Sequence, residues 1–108
     1  MYYNIDDLIR IAITSNNIIR FIYHDYHRIA EPHVFGTHNG RKQVLVSQIG
    51  GQSSSGNIPR WRRVNVDEIP SARITSQRFV RQRPYPSGED SNFDTVLAVV
   101  TYRDEIAE

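Results

Sequence analysis

The chain has 108 residues, a net charge of +1 and 39% hydrophobic residues, which predict one globular domain with a single modest core. It has no cysteine, so disulfides, thiolate catalysis and cysteine-based zinc sites are excluded. No apolar run approaches the roughly 20 residues that span a bilayer. The first residues, MYYNIDDL, lack the basic start and apolar stretch of a signal peptide. We therefore expect a cytoplasmic protein without membrane association.

The first half of the chain predicts a helix followed by short strands. Asn4 is a suitable N-cap for a helix over 5–15, whose apolar residues recur at helical spacing. β-branched and aromatic residues predict five strands, over 18–24, 28–36, 42–49, 60–66 and 71–79. Pro32 places its part of the second strand at an edge or a bulge. Asn39-Gly40 is typical of a type I′ hairpin turn.

The second half contains a Gly/Ser loop over 50–59, a tight turn over 67–70 and a Pro-rich connection over 81–90. Ser91 is suited to cap a helix over 92–104, although the β-branched residues in that segment leave a strand as the alternative. A helix, five hairpin-connected strands and a terminal helix predict a mainly β, α+β domain. Its sheet is expected to be small, antiparallel and strongly bent, or a partly open barrel over 18–79.

The basic residues favour arginine and cluster late in the chain. Of the 13 Lys and Arg residues, 12 are Arg, and seven of these fall between Arg60 and Arg83. The planar guanidinium binds phosphate and carboxylate through two parallel hydrogen bonds. We interpret this segment as a phosphate-facing surface, and a solvated basic face is the alternative.

Strand alternation places Trp61 and Arg63 on one face of the fourth predicted strand. If the fourth and fifth strands pair, Arg73 projects from the same surface. An indole flanked by arginines can stack on a base and hold its phosphates. The alternative is that Trp61 covers an open end of the barrel, with Arg62 and Arg63 lying over it.

The loop over 50–59 offers hydroxyls and backbone amides for an anion. Ser53, Ser54 and Ser55 could form an anion-binding nest there. The loop lacks the lysine and the strand-loop-helix context of a P-loop, so that motif is excluded. A flexible surface loop is the alternative.

The remaining chemistry-bearing residues show no catalytic or metal-binding pattern. The four histidines lack zinc-ligand spacing, and we expect them at exposed strand ends. No serine has the Gly-x-Ser-x-Gly context of a nucleophile. We therefore expect no metal, no cofactor and no enzymatic activity. A hydrolase that uses His24 or His33 is the least favoured interpretation.

Residues 5–79 resemble the WYL domain family. The resemblance rests on the leading helix, the Arg-x-x-Glu-Pro segment that begins at Arg28, the Asn39-Gly40-Arg41 turn and the loop that ends in Pro59-Arg60-Trp61. It implies a small Sm-like or SH3-like β-barrel of the kind that senses ligands in bacterial transcription factors and in phage-defence proteins. Several members of that family respond to nucleotides or nucleic acids.

This chain differs from the family at two motifs. The Trp-Tyr-Leu tripeptide aligns with 43–45, where only Leu45 is retained, and two later basic positions are Asn65 and Glu68. Only one helix precedes the first strand, so no helix-turn-helix is expected ahead of the domain.

Together these features predict a stand-alone, non-enzymatic domain for a phosphate-bearing ligand: a nucleotide, a cyclic oligonucleotide signal or a short single-stranded nucleic acid. It would act as a sensor or a sequestering protein in phage defence or counter-defence, as a homo-oligomer or with a protein partner that carries the output. The predicted ligand-binding residues are Arg28, Arg41, Ser53, Ser54, Ser55, Trp61, Arg62, Arg63 and Arg73. The alternative is a protein-interaction or dimerisation module that uses an edge near Pro32 and the C-terminal helix.

Overall fold

The computed structural model describes residues 4–52, 60–79 and 93–100, which form one helix and a six-stranded sheet. The elements are α1 (Ile5–Ser15), β1 (Asn17–Tyr23), β2 (Tyr26–His38), β3 (Arg41–Gly51), β4 (Arg60–Asn65), a 3-10 turn (Val66–Glu68), β5 (Ser71–Arg78) and β6 (Thr95–Val99). All strand pairs are antiparallel, in the order β4-β3-β2-β1-β5, and β6 pairs with β2. The mainly β architecture with a leading helix is confirmed.

Helix α1 has the predicted bounds and the predicted cap. The Asn4 side chain accepts a hydrogen bond of 2.8 Å from the backbone amide of Asp7, and Asn16 ends the helix in the left-handed conformation, with φ 57°. These caps satisfy backbone groups that a helix end leaves unpaired. One face of α1 packs against the sheet through Leu8, Ile9, Ala12 and Ile13.

Two tight turns set the registers of β1, β2 and β3. Asn39 and Gly40 have φ angles of 52° and 79°, which confirms the predicted hairpin turn. His24 and Asp25 also have positive φ angles, 50° and 68°. The first turn is therefore shorter than the predicted 25–27 turn, because two left-handed residues let Tyr23 pair directly with Tyr26.

Strand β2 is the long central element of the sheet. It pairs with β3 along one edge, while its other edge pairs first with β1 and further along with β6. The register shifts between Pro32 and Val34, which confirms the predicted bulge. Pro32 is buried and pairs with Val46 on β3, and in the described residues it has no partner on the other side, where β1 pairs up to Ala30 and β6 begins at Val34.

The predicted helix over 92–104 is wrong where the structure describes it. Thr95–Val99 is strand β6, because β2 extends beyond β1 and offers free backbone groups to a β-branched segment. Gly36 permits this approach, since a Cβ there would lie 2.3 Å from the Thr95 carbonyl oxygen. The rest of that range, and the connection over 81–90, lie outside the described residues.

The described sheet is not closed into a barrel. Strands β4 and β5 are its two ends and do not pair with each other in the described residues. The apolar core fills the space between α1 and the inner face of the sheet. Its fully buried members include Phe21, Phe35, Val44 and Val64.

Candidate functional site

The residues predicted to bind a ligand lie in separate places. Ser53, Ser54 and Ser55 fall outside the described residues. The others occupy the sheet interior, the start of β3, the edge strand β4 and the opposite edge strand β5; they are Arg28, Arg41, Trp61, Arg62, Arg63 and Arg73. Because Arg28 is buried, no single surface contains all six of these described residues.

Arg28 is an interior residue with only 3% of its surface exposed. Its Nε and Nη2 donate to the Tyr23 carbonyl at 3.3 and 3.2 Å, and its Nη1 donates to Gln48 Oε1 at 3.2 Å. The guanidinium also lies over the rings of Tyr23 and Tyr26. Burial lowers the pKa of Arg28. These contacts join β1, β2 and β3 and turn Arg28 away from solvent.

Arg41 is exposed but neutralised by two carboxylates. Its Nη2 donates to Asp67 Oδ1 at 2.7 Å and to Glu68 Oε2 at 3.0 Å. The hydrogen bonds to Glu68 and Asp67 raise the pKa of Arg41. Arg41 therefore ties the start of β3 to the 3-10 turn, and a phosphate would have to displace both acids to reach it.

Glu68 is the centre of this surface network. Its second carboxylate oxygen lies 2.6 Å from Nε2 of His24, in the β1–β2 turn. The hydrogen bonds from His24 and Arg41 lower the pKa of Glu68 to about 2. The network fastens the 3-10 turn to two hairpins, which is a structural role.

Arg73 lies at the opposite edge of the sheet from Trp61 and Arg63. The pairing of the fourth and fifth strands, on which a shared surface with Arg73 depended, is not present in the described residues, because β4 pairs with β3 and β5 pairs with β1. The 3-10 turn and Pro70 connect β4 to β5, and Val66 in this connection is buried. Arg73 is therefore not a strand neighbour of Trp61 or Arg63.

Strand β4 presents the residues that remain candidates for a ligand site. Val64 is buried in the core, which confirms the predicted alternation and leaves Trp61 and Arg63 together on the other face. Trp61 is partly exposed, and its ring meets the His33 ring edge-on at 4.8 Å between centroids. Arg62 lies between them in sequence and opposite Val46 in register, on the face of Val64.

Arg63 is held in place from two directions. Its Nη1 donates to Gln43 Oε1 at 3.2 Å, and its guanidinium carbon lies 4.5 Å above the centroid of the Phe93 ring. Gln43 in turn donates from Nε2 to Asn65 Oδ1 at 2.8 Å. We call Trp61, Arg63 and Gln43 the β4 face. Its side chains are ordered by neighbours before any ligand arrives, which lowers the entropy cost of binding.

A buried polar pair, Glu31 and His33, lies next to Trp61 of the β4 face. Glu31 and His33 are 4% and 0% exposed, and Oε1 of Glu31 lies 3.4 Å from Nε2 of His33. The row Glu31–Ser47–Trp61 runs directly across three strands. The expected exposed position of His33 is wrong. The sequence signal for its burial was its position within a largely apolar stretch around Pro32 and Val34, because short apolar runs without polar alternation are typical of buried strands.

The described residues contain two cavities near α1 but no group of side chains that could bind a metal ion. In residues 4–52, 60–79 and 93–100, no three His, Asp or Glu side chains could hold a metal ion together. Two cavities, of about 250 and 320 Å³, lie beside Ile5 at the start of α1. Among the described helices none is long and apolar enough to cross a membrane.

Comparison of the chain with protein-family models, with curated proteins and with solved structures gives no match. The resemblance to the WYL domain family therefore stays a prediction from the residues quoted for it. The geometry of the described residues is the remaining guide to function.

Proposed function

We propose that this chain is a non-enzymatic binding domain for a phosphate-bearing ligand, held at the β4 face. The ligand class comprises nucleotides, cyclic oligonucleotide signals and short single-stranded nucleic acids. The observation that carries the proposal is the shared face of Trp61 and Arg63, an indole beside a guanidinium on an edge strand. Such a pair can stack on a base and bind its phosphate at the same time.

The contacts around the β4 face support a recognition role. The T-shaped contact with the His33 ring orients the indole of Trp61. Arg63 is oriented by the amide oxygen of Gln43 and the ring of Phe93. Arg62 extends the basic character of the strand.

The domain would act as a sensor or a sequestering protein. Such a role needs selective binding and no turnover. Sensing would require a partner that carries the output, whereas sequestration requires only affinity and abundance.

The test is thermal unfolding of the purified chain with nucleotides, cyclic di- and trinucleotides and short oligonucleotides. A ligand at about 100 times its Kd should stabilise the fold by about 2.7 kcal/mol. We expect the gain to disappear in Trp61→Ala and in Arg63→Ala. Arg78→Ala is the matched control, because Arg78 is exposed on β5 and donates only to the Ser15 carbonyl among the described contacts.

Loss of the shift in Arg78→Ala as well would show general charge attraction and not a site. Absence of any shift across the panel, with the protein folded, would reject the phosphate-ligand proposal.

A second candidate function is dimerisation through β6. Val96 and Val99 are 42% and 43% exposed, which is high for valines in a strand. Sedimentation equilibrium of the chain and of Val99→Asp tests it. A dimer that dissociates in the variant would support this function, and a monomer at all concentrations would reject it.

A further inference from the structure

Two arginines face each other on the outer surface of the sheet, away from the β4 face. Arg20 on β1 and Arg73 on β5 are direct cross-strand partners, and both are exposed. In residues 4–52, 60–79 and 93–100 neither makes an ion pair or a side-chain hydrogen bond, whereas Arg41 and Lys42 both contact carboxylates. Like charges in this position repel and destabilise a sheet.

Protection of the sheet edge accounts for only one of the two charges. A charged residue on an edge strand discourages other chains from pairing there, and Arg73 on β5 fits that role. Arg20 does not, because β1 is an inner strand between β2 and β5. The doubled charge therefore needs another explanation, and an anionic partner would supply it.

The shape of this surface indicates which class of anionic partner it can bind. The row Ile29–Arg20–Arg73 runs straight across β2, β1 and β5 and ends at the edge of the described sheet. Beside it Ile22, 38% exposed, lies opposite Ser71. The surface is a strand face and not a concave pocket of the kind that encloses small ligands. The rows Ile29–Arg20–Arg73 and His27–Ile22–Ser71 carry the imidazole of His27 but no Phe, Tyr or Trp ring on which a base could stack.

A strand added beside β5 would place every second side chain on the face of Arg73, so a segment with carboxylates at alternate positions matches this surface. In the described residues, β5 has no strand on its outer side, so its free backbone groups can pair with such a segment. A carboxylate on the added strand would lie next to Arg73 and extend the row, converting a repulsive pair into a neutralised one.

We propose that β5 accepts an acidic, extended segment of another protein as an added strand. Arg73 holds the carboxylate beside it, and Arg20, on the next strand inward, adds positive charge to the same row. Arg20 and Arg73 are not strand neighbours of Trp61 or Arg63, so substitutions can test this surface and the β4 face separately.

The experiment is selection from a display library of extended peptides of about seven residues, the common strand length. The wild-type chain and the Arg20→Glu/Arg73→Glu double variant are the two baits. We expect Asp and Glu at alternate positions on the wild type, and Lys or Arg on the double variant. The best acidic peptide should bind the double variant at least about tenfold more weakly, and NMR shifts on binding should fall on 71–78 and not on 60–65.

Two controls separate this proposal from the phosphate-ligand proposal. Trp61→Ala should keep the acidic peptide, since Trp61 is not on this surface. A labelled oligothymidylate is tested on the same baits. Selection of the same peptides on both baits, no selection, or shifts outside β5 would overturn the proposal. Binding of oligothymidylate that is lost in the double variant, without acidic selection, would overturn it in favour of nucleic acid.

Discussion

The two halves of the sheet differ in where their polar residues lie, buried in one half and exposed in the other. The β2–β3–β4 half buries Arg28, Glu31, His33, Ser47 and Gln48. The β1–β5 half has an apolar inner face and leaves Arg20 and Arg73 exposed and uncompensated outside. Buried polar groups stabilise a fold only while their partners are present, whereas repelling surface charges cost stability that substitution can recover. Substitutions in the first half should therefore destabilise, and substitutions of these charges in the second should not.

The largest expected change in the free energy of unfolding comes from a glycine in the β2–β3–β4 half. Gly51 has a φ of 83°, and a Cβ there would lie 2.4 Å from the His27 carbonyl oxygen. Gly51→Ala should lower the free energy of unfolding by about 3 kcal/mol, through backbone strain and this clash. Gly40→Ala is the matched control, since its φ is 79° with no atom within 4 Å of the added Cβ. Urea denaturation compares them, and equal losses would show that the contact with His27 is unimportant.

The next prediction compares arginines from the two halves. Arg28→Met keeps the aliphatic stem but removes the donors to Tyr23 and Gln48, and should cost about 2 kcal/mol. Arg73→Met at the exposed edge should change stability by less than about 0.5 kcal/mol. Chemical denaturation of both variants measures the difference. If Arg28→Met is as stable as Arg73→Met, the buried hydrogen bonds contribute little.

Local patterns in the sequence predicted the parts of the fold that depend on local interactions. The α1 bounds, its Asn4 cap, the Asn39-Gly40 turn and the Pro32 bulge are confirmed because cap and turn chemistry acts within a few residues. The segment at 95–99 was ambiguous, since its apolar residues fit both a helix and a strand. The segment forms a strand because it pairs with the free edge of β2, which is distant in sequence.

The candidate site was harder to predict for the same reason. Alternation placed Trp61 with Arg63 on one face, which the burial of Val64 confirms. Alternation could not show that Arg73 sits at the other end of the sheet, because strand order depends on where the 3-10 turn directs the chain. The contacts of Arg28 with Gln48 likewise depend on the register between β2 and β3, which spacing alone does not supply.

A smaller effect concerns the network that ties the 3-10 turn to both hairpins. The pKa of Glu68 is lowered to about 2, so its stabilising contribution is full above the ordinary carboxyl pKa and is lost as the pH falls through about 2. Glu68→Gln should therefore melt below the wild type near neutral pH, and the gap should close as the pH falls from about 4 to about 2. Melting temperatures at a series of pH values measure this gap. A gap that stays constant through this range would show that the carboxylate charge is not the cause.

The smallest effect tests the repulsion between Arg20 and Arg73, on which the contrast between the halves depends. Arg20→Glu creates an opposite-charge pair on β1 and β5, and should raise the free energy of unfolding by about 0.5 kcal/mol. Arg73→Glu should do the same, while the double variant restores like charges and should return to the wild-type value. The gain should shrink at about 1 M salt, where the screening length is about 3 Å. Additive gains in the double variant would mean that the two side chains do not interact. Gains in both single variants, together with equal stability of the double variant and the wild type, would confirm the repulsion. Equal stability would also show that any loss of acidic-peptide binding in the double variant is not caused by unfolding.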